Sequence, residues 1–457
     1  LLGGNMEYKD FINSKNKQMK NYGFDVEKEN LNPMLFDFQK DIVRWALKKG
    51  RAAVFADCGL GKTPMQLEWA NQIYKHEGGK ILILAPLAVA TQTQREGEKF
   101  HIPVNICESQ DDVKDGINIT NYEKLEKFVA NEFIGIVLDE SSILKSFTGK
   151  VRNQIIENFK KTPYKLACTA TPAPNDYMEL GNHSEFLGVM TRAEMLSMYF
   201  VHDGGQTSKW RLKGHAENNY WQWMASWSVF IDNPNNLGYN IEGYDLPKLN
   251  INQIVADGLP ITTEKLTLTQ RRNARKESLD IRCQVAADIV NNSEETFLVW
   301  CDLNDESKKL HQLINDSVEV KGSDKQKHKS TAMLDFSDDK IKCLVTKPSI
   351  AGFGMNWQNC RNMIFVGLSD SYEAYYQAIR RCWRFGQDKE VNIYIIISSK
   401  EGTVKENIER KQQDAEKMQK AMIKLTKDIT SKELKQTTRI TTEYNPKIEM
   451  EIPSWIA

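Results

Sequence analysis

Short apolar runs closed by polar turn residues recur through residues 31–190, and stretches with helical spacing separate them. Ala52–Ala56, Lys80–Ala85, Ile117–Thr120, Phe133–Leu138 and Tyr164–Thr169 read as strands. "KILILAP" and "IGIVLDE" are almost continuously apolar, the pattern of strands buried on both faces of a parallel sheet. Strand alternating with helix predicts an α/β fold, with the working residues at the C-terminal ends of the strands. The rhythm breaks over 191–260 and resumes after a helical stretch at 262–292. Its second set of strands is Thr296–Trp300, Lys340–Val345, Asn362–Val366 and Val391–Ile397. Two tandem α/β lobes are therefore expected.

The intervening stretch 191–260 is aromatic, with Trp210, Trp221, Trp223 and Trp227. Trp223 and Trp227 are four apart, as packing on one helix face requires, so a helical insertion with an aromatic core is expected. A base-stacking surface is the alternative. Beyond the second lobe, Val404, Ile408, Ala415, Met418, Met422 and Leu425 fall at helical spacing, with lysines on the opposite face. That helix reads as a brace packed on a lobe; a basic arm on DNA is the alternative. The chain thus divides into an extension at 1–30, a first lobe at 31–190, the aromatic stretch at 191–260, a second lobe at 261–400 and a helix with tail at 401–457. Residues 1–5 read as a non-native leader.

Size agrees with this division, because 457 residues exceed one hydrophobic core. With 61 basic and 61 acidic residues, any footprint for nucleic acid must be local. The eight cysteines form no CxxC pair and mostly lie in apolar runs, which predicts buried free thiols in a reducing, cytoplasmic setting. Neither Cys nor His clusters at zinc-ligand spacing. No apolar run approaches the about 18 residues of a membrane span, and no secretory leader is visible, so no membrane partner is expected.

The chemistry begins at "AVFADCGLGKT". A strand runs into the turn Gly59 to Thr63, where backbone N–H groups at a helix N-terminus converge on an anion. A side chain at Gly59 or Gly61 would block that approach. Lys62 would reach the outer phosphates, and the Thr63 hydroxyl would hold Mg²⁺. Farther on, "IVLDESS" puts Asp139 and Glu140 at a strand end, suiting Mg²⁺ coordination by Asp139 and water polarisation by Glu140. The turn "TATPAPND", Thr169 to Asp176, can bond both the nucleotide site and a neighbouring loop. "AGFGMNW" gives a second glycine turn, Gly352–Gly354, followed by Asn356. In "QAIRRCWRFGQ", Arg381 and Arg384 lie three apart on one helical face, and their planar guanidinium forks match a transferring phosphoryl group.

In this order the motifs resemble those of superfamily-2 nucleic-acid motors, most closely the Swi/Snf-like ATPases. "FDFQKDIVRWAL" resembles the family's adenine-reading glutamine motif, and "ADCGLGKT" its A-x-x-G-x-G-K-T loop. "APLAVATQTQREGEKF" and "INITNYEKL" stand at its two strand-contact motifs. "LDESSILKS" stands where DEAH is typical, without the histidine, and "CTATPAPND" resembles the coupling turn. The string Q-x-x-x-R-x-x-R-x-G-Q from Gln377 to Gln387 is characteristic of the Swi/Snf-like branch. The resemblance covers roughly 31–410 and implies two RecA-like lobes with ATP and Mg²⁺ between them. It adds Gln39, Gly354 and Gln377 to the ATP-binding set and assigns Thr169, Thr171 and Asn356 to coupling. It implies that Arg381 and Arg384 reach across the cleft. Short insertions fit a compact bacterial or phage member.

Three functions follow as expectations: translocation on double-stranded DNA, strand separation on DNA or RNA, and nucleotide-gated binding with little turnover. Duplex DNA is the favoured partner, and a recruiting protein is not specified. No acid cluster or cofactor loop for a nuclease or methyltransferase is visible.

Overall fold

The apolar runs assemble into two parallel sheets. The computed structural model describes residues 22–86, 89–145, 149–173, 176–202, 210–261, 267–351, 355–369 and 371–435. In chain order the strands are β1 Arg51–Ala56, β2 Lys80–Ala85, β3 Val104–Ile106, β4 Gly116–Asn121, β5 Phe133–Asp139 and β6 Tyr164–Cys168. A small hairpin, β7 Phe200–His202 and β8 Trp210–Leu212, precedes β9 Ser228–Ile231. Then come β10 Leu249–Val255, β11 Phe297–Cys301, β12 Ser317–Glu319, β13 Cys343–Thr346, β14 Asn362–Val366 and β15 Val391–Ile397. The first sheet runs β3-β4-β2-β5-β6-β1-β9 and the second β10-β15-β14-β11-β13-β12. Every pairing in both is parallel. Each sheet has an apolar core on both faces, which is why its strands read as unbroken hydrophobic runs. These are two tandem RecA-like lobes.

The stretch 191–260 does not stand apart as an insertion. Its β9 joins the first sheet beside β1, pairing Ala53 with Ser228 and Ala56 with Ile231. Its β10 joins the second sheet beside β15 along its whole length. Sequence pattern missed both for opposite reasons. "SVFI" is short and hidden among aromatics, whereas "LNINQIV" alternates polar residues because it is a half-exposed edge. Tyr199, Tyr220, Trp221, Trp223, Trp227 and Phe230 are buried in the first lobe's core, so these rings pack rather than offer a stacking surface. Trp223 and Trp227 do touch, with centroids 5.4 Å apart, although Trp227 lies just past the helix Glu217–Ala225.

The C-terminal helix Gly402–Lys435 straps both lobes together rather than resting on one. Val404 and Ile408 enter the second lobe's core, Met422 and Ile423 the first lobe's, and Leu434 the core on its opposite face. Leu425, expected on the apolar stripe, is 37% exposed. The buried line instead passes through Thr426 and Thr430, whose small hydroxyl side chains let the helix lie close. Lys49 pairs with Glu433 at 3.2 Å and fixes the far end. All eight cysteines are buried and unpaired. Among the described residues no helix is long and apolar enough to cross a membrane.

Candidate functional site at the lobe interface

Where the two lobes face one another lies a cleft of about 560 Å³. Its first-lobe wall is the loop between β1 and the helix Lys62–Glu77, together with the end of β5. Gly59 and Gly61 take φ of +91° and +74°. A Cβ on Gly61 would stand 2.2 Å from Gln39 Nε2, and one on Gly59 would stand 2.9 Å from Phe385 N of the opposite lobe. Glycine is therefore demanded twice, by backbone conformation and by space. Gly61 caps the helix without a side chain, so the N-terminal N–H groups and the positive end of the helix dipole face the cleft. Lys62 Nζ donates to the carbonyls of Ala56 (3.0 Å) and Asp57 (3.4 Å), and Thr63 lines the cleft beside it.

Asp139 and Glu140 close the floor. Both are buried, and burial pushes both carboxyl groups above the ordinary range. For Asp139 a hydrogen bond from Gln66 Nε2 (2.8 Å) and the Lys62 charge oppose the rise; for Glu140 Lys62 opposes it and the Asp139 charge adds to it. Glu140 has φ of +52°, uncommon for a residue with a side chain and a sign of stored strain. Thr169 Oγ1 donates to Glu140 Oε2 (3.3 Å) and accepts from Thr171 N (3.1 Å). Thr171 Oγ1 donates in turn to Glu373 Oε1 of the second lobe (3.4 Å), and Glu373 is also paired with Lys145. A polar path thus runs from Glu140 across the interface.

The second lobe supplies Asn356, Gln358, Arg381, Arg384 and Phe385 to the opposite wall. Arg381 is 3% exposed. It donates to Gln377 O (2.9 Å), Met355 O (3.0 Å) and Gln377 Oε1 (3.0 Å). Arg384 Nη1 donates to the same Met355 O (3.3 Å), and its buried Nε has no partner. Burial and the neighbouring Arg381 charge bring Arg384 down to about 10. The buried Arg381 and the half-buried Arg384 donate only to neutral oxygens, so an entering anion would supply the charged hydrogen-bond partner they lack.

The expected helical face for these arginines is not what forms. The helix Tyr372–Ile379 ends before them and the chain continues in turns, with Arg381 N and Cys382 N bonding three residues back and Trp357 N taking the Arg381 carbonyl. They still converge on one carbonyl. Gln377, expected at the nucleotide, is fully buried behind Arg381 and does not line the cleft. Gln39 does line it, with Nε2 donating to Leu60 O and Oε1 accepting from Phe36 N, both at 3.0 Å. Gly354 with the turn at 352–354, and Pro174 and Asn175 within the Thr169–Asp176 turn, lie outside the described residues.

Several residues escaped the sequence reading. Phe36, Tyr244 and Phe385 form an aromatic wall beside Gln39, with Tyr244 and Phe385 stacked at 4.5 Å. Gln66 was findable one helical turn past Lys62. His183 had no local signal, yet its Nε2 lies 3.1 Å from Ser141 Oγ, next to Glu140. Burial holds that imidazole down to about 4, so it is neutral at physiological pH. Asp57, Tyr376 and Arg380 meet across the interface; Asp57 and Arg380 sat unremarked inside quoted motifs, and Tyr376 immediately before one.

A triphosphate and a divalent cation suit this donor set. There is a backbone cradle that side chains would fill, a lysine and two arginines around one space, and a hydroxyl and carboxylates for the metal.

Residues 25–174 match the family model for the type III restriction enzyme, res subunit, and residues 281–386 match that for the helicase conserved C-terminal domain. Among solved structures, the chain is similar to the Sulfolobus solfataricus SWI2/SNF2 ATPase core in complex with dsDNA. The identity is 17%, 88% of this chain and 98% of that chain are covered, and the TM-score is 0.43. No curated protein matches the chain.

Proposed function

We propose, from the premise that this chain belongs to the superfamily-2 helicases and translocases that hydrolyse ATP, that it is a translocase on double-stranded DNA. The observation that carries the reading is the cleft itself, where Lys62 of one lobe and Arg381 and Arg384 of the other line a single space. The Swi/Snf-like assignment, and with it the duplex substrate, rests on the string from Gln377 to Gln387.

In this reading the triphosphate lies on the Gly59–Thr63 loop with Lys62 on its outer phosphates. Gln39 and the aromatic wall take the base. Thr63 and Asp139 would hold Mg²⁺, which when bound neutralises phosphate charge. Glu140 orients the attacking water, and Arg381 and Arg384 turn from Met355 O to the charge that develops on the γ-phosphoryl. Gln377 holds Arg381 in place. Because the site is split between lobes, binding favours closure and release of phosphate favours opening. Thr169, Thr171 and Glu373 link Glu140 to that motion, and Asn356 lines the cleft from the second lobe. With DNA across both lobes, held through its phosphates, each cycle becomes a step along the backbone.

Steady-state ATP turnover without polymer and with duplex DNA, single-stranded DNA or RNA tests the assignment. Duplex DNA at low salt is expected to raise turnover at least about tenfold, an effect that fades as salt screens the phosphate contacts. Stimulation by single strands but not by duplex would put strand separation in its place. Polymer-independent, negligible turnover would favour the gated binding subunit.

A further inference from the structure

Three guanidiniums crowd the end of the helix Tyr372–Ile379, and their partners differ in kind. Arg381 and Arg384 rest on neutral oxygens. Arg380 faces a carboxylate of the other lobe. Its Nη2 lies 2.9 Å from Asp57 Oδ2 and donates also to Cys58 O at 2.8 Å. The Tyr376 hydroxyl, one turn earlier, donates to Asp57 Oδ1 at 2.5 Å, and Cys58 N donates to the same oxygen at 2.7 Å. The contact is dry, with the two charged side chains 7% and 13% exposed, and the Arg380 guanidinium also lies 5.2 Å over the Trp383 ring.

Position gives this cluster its meaning. Asp57 opens the loop that ends in Lys62, and Arg380 directly precedes Arg381. A glycine-containing loop has few side chains of its own to fix it, whereas a carboxylate gripped by a guanidinium and a phenol is held in direction as well as distance. Because its charge is already neutralised, Arg380 has little to gain from a phosphate. Its neighbours, which lack such a partner, have much to gain.

We infer that Asp57, Tyr376 and Arg380 form an interlobe latch, positioning residues that hold the phosphate loop and the arginine segment in register so that Lys62 and Arg381 address the same triphosphate. The catalytic consequence rests on the ATP reading above; the latch itself is a contact between side chains of the two lobes.

Two measurements on the full chain test it, using Arg380→Gln, Asp57→Asn, Tyr376→Phe and the Asp57→Asn/Arg380→Gln double variant. The first is amide hydrogen exchange without nucleotide. Exchange is expected to quicken by about tenfold or more in both 57–62 and 380–384, whichever side of the latch is altered. Unchanged exchange, or quickening confined to the mutated segment, overturns the latch. The second is ATP turnover. Misplacing the two halves of a site is expected to lower kcat by about 10²-fold while KM for ATP moves less than about threefold. The double variant is expected to lose no more than the worse single variant, because the pair acts as a unit. Tyr376→Phe, which keeps the ring's packing, is expected to show a smaller loss in the same direction. A raised KM at unchanged kcat would make Arg380 a nucleotide ligand and overturn the inference, as would additive losses. A wild-type chain without turnover would reject the ATPase reading, and hydrogen exchange would still decide the latch.

Discussion

Arg381→Ala is expected to slow ATP hydrolysis by about 10³-fold or more while leaving nucleotide affinity within a few fold. The reason is electrostatic and local. Arg381 is buried, its partners are carbonyl and amide oxygens, and it shares Met355 O with Arg384. Such a cation binds most strongly to charge that grows during reaction, so its loss appears in the chemical step and not in the ground state. Single-turnover hydrolysis set beside a fluorescent-nucleotide titration separates the two. Arg384→Ala is expected to act in the same direction. A variant that hydrolyses at the wild-type rate would remove the second lobe from the chemistry.

The second large effect belongs to the first lobe. Lys62→Ala is expected to abolish measurable turnover, because the cation at the helix N-terminus is the loop's only lysine. Glu140→Gln is expected to cost about 10²–10⁴-fold in kcat yet still bind ATP. The direction of the Glu140 shift adds a pH signature. Burial raises its carboxyl group, so the protonated form persists to higher pH than for an exposed glutamate. If the carboxylate is the working form, kcat/KM falls as pH drops through a midpoint above the ordinary value of about 4.3. A profile flat down to that value would show that Glu140 is not the group whose ionisation matters.

What sequence could and could not convey follows from the physics of each element. Strands buried on both faces declare themselves, so β2, β5, β14 and β15 were legible almost to the residue. Edge elements do not. β3 and β12 are three residues each, β10 alternates polar side chains, and β9 owes its conformation to β1 beside it. In the site, Gly59, Gly61 and Lys62 in their tight loop, and Asp139 at the end of β5, carried their own signal in local sequence. The link between Lys62 and Arg381, more than three hundred positions apart, could be read only through resemblance. Gln377 shows the limit of that reading, because a motif position names a residue without saying which of its faces meets the cleft. His183 and Tyr244 lie in no motif, and tertiary packing alone brings them to the site.

The proposed function turns on one triphosphate being held from both lobes. Its most direct test is a structure determined with ADP, Mg²⁺ and a planar metal-fluoride mimic of the transferring phosphoryl group. Lys62 Nζ is expected to be released from Ala56 O, and the Arg381 guanidinium to be turned from Met355 O, both within hydrogen-bond distance of the same mimic. A bound mimic contacted by Lys62 alone, with Arg381 and Arg384 still on Met355 O, would contradict it.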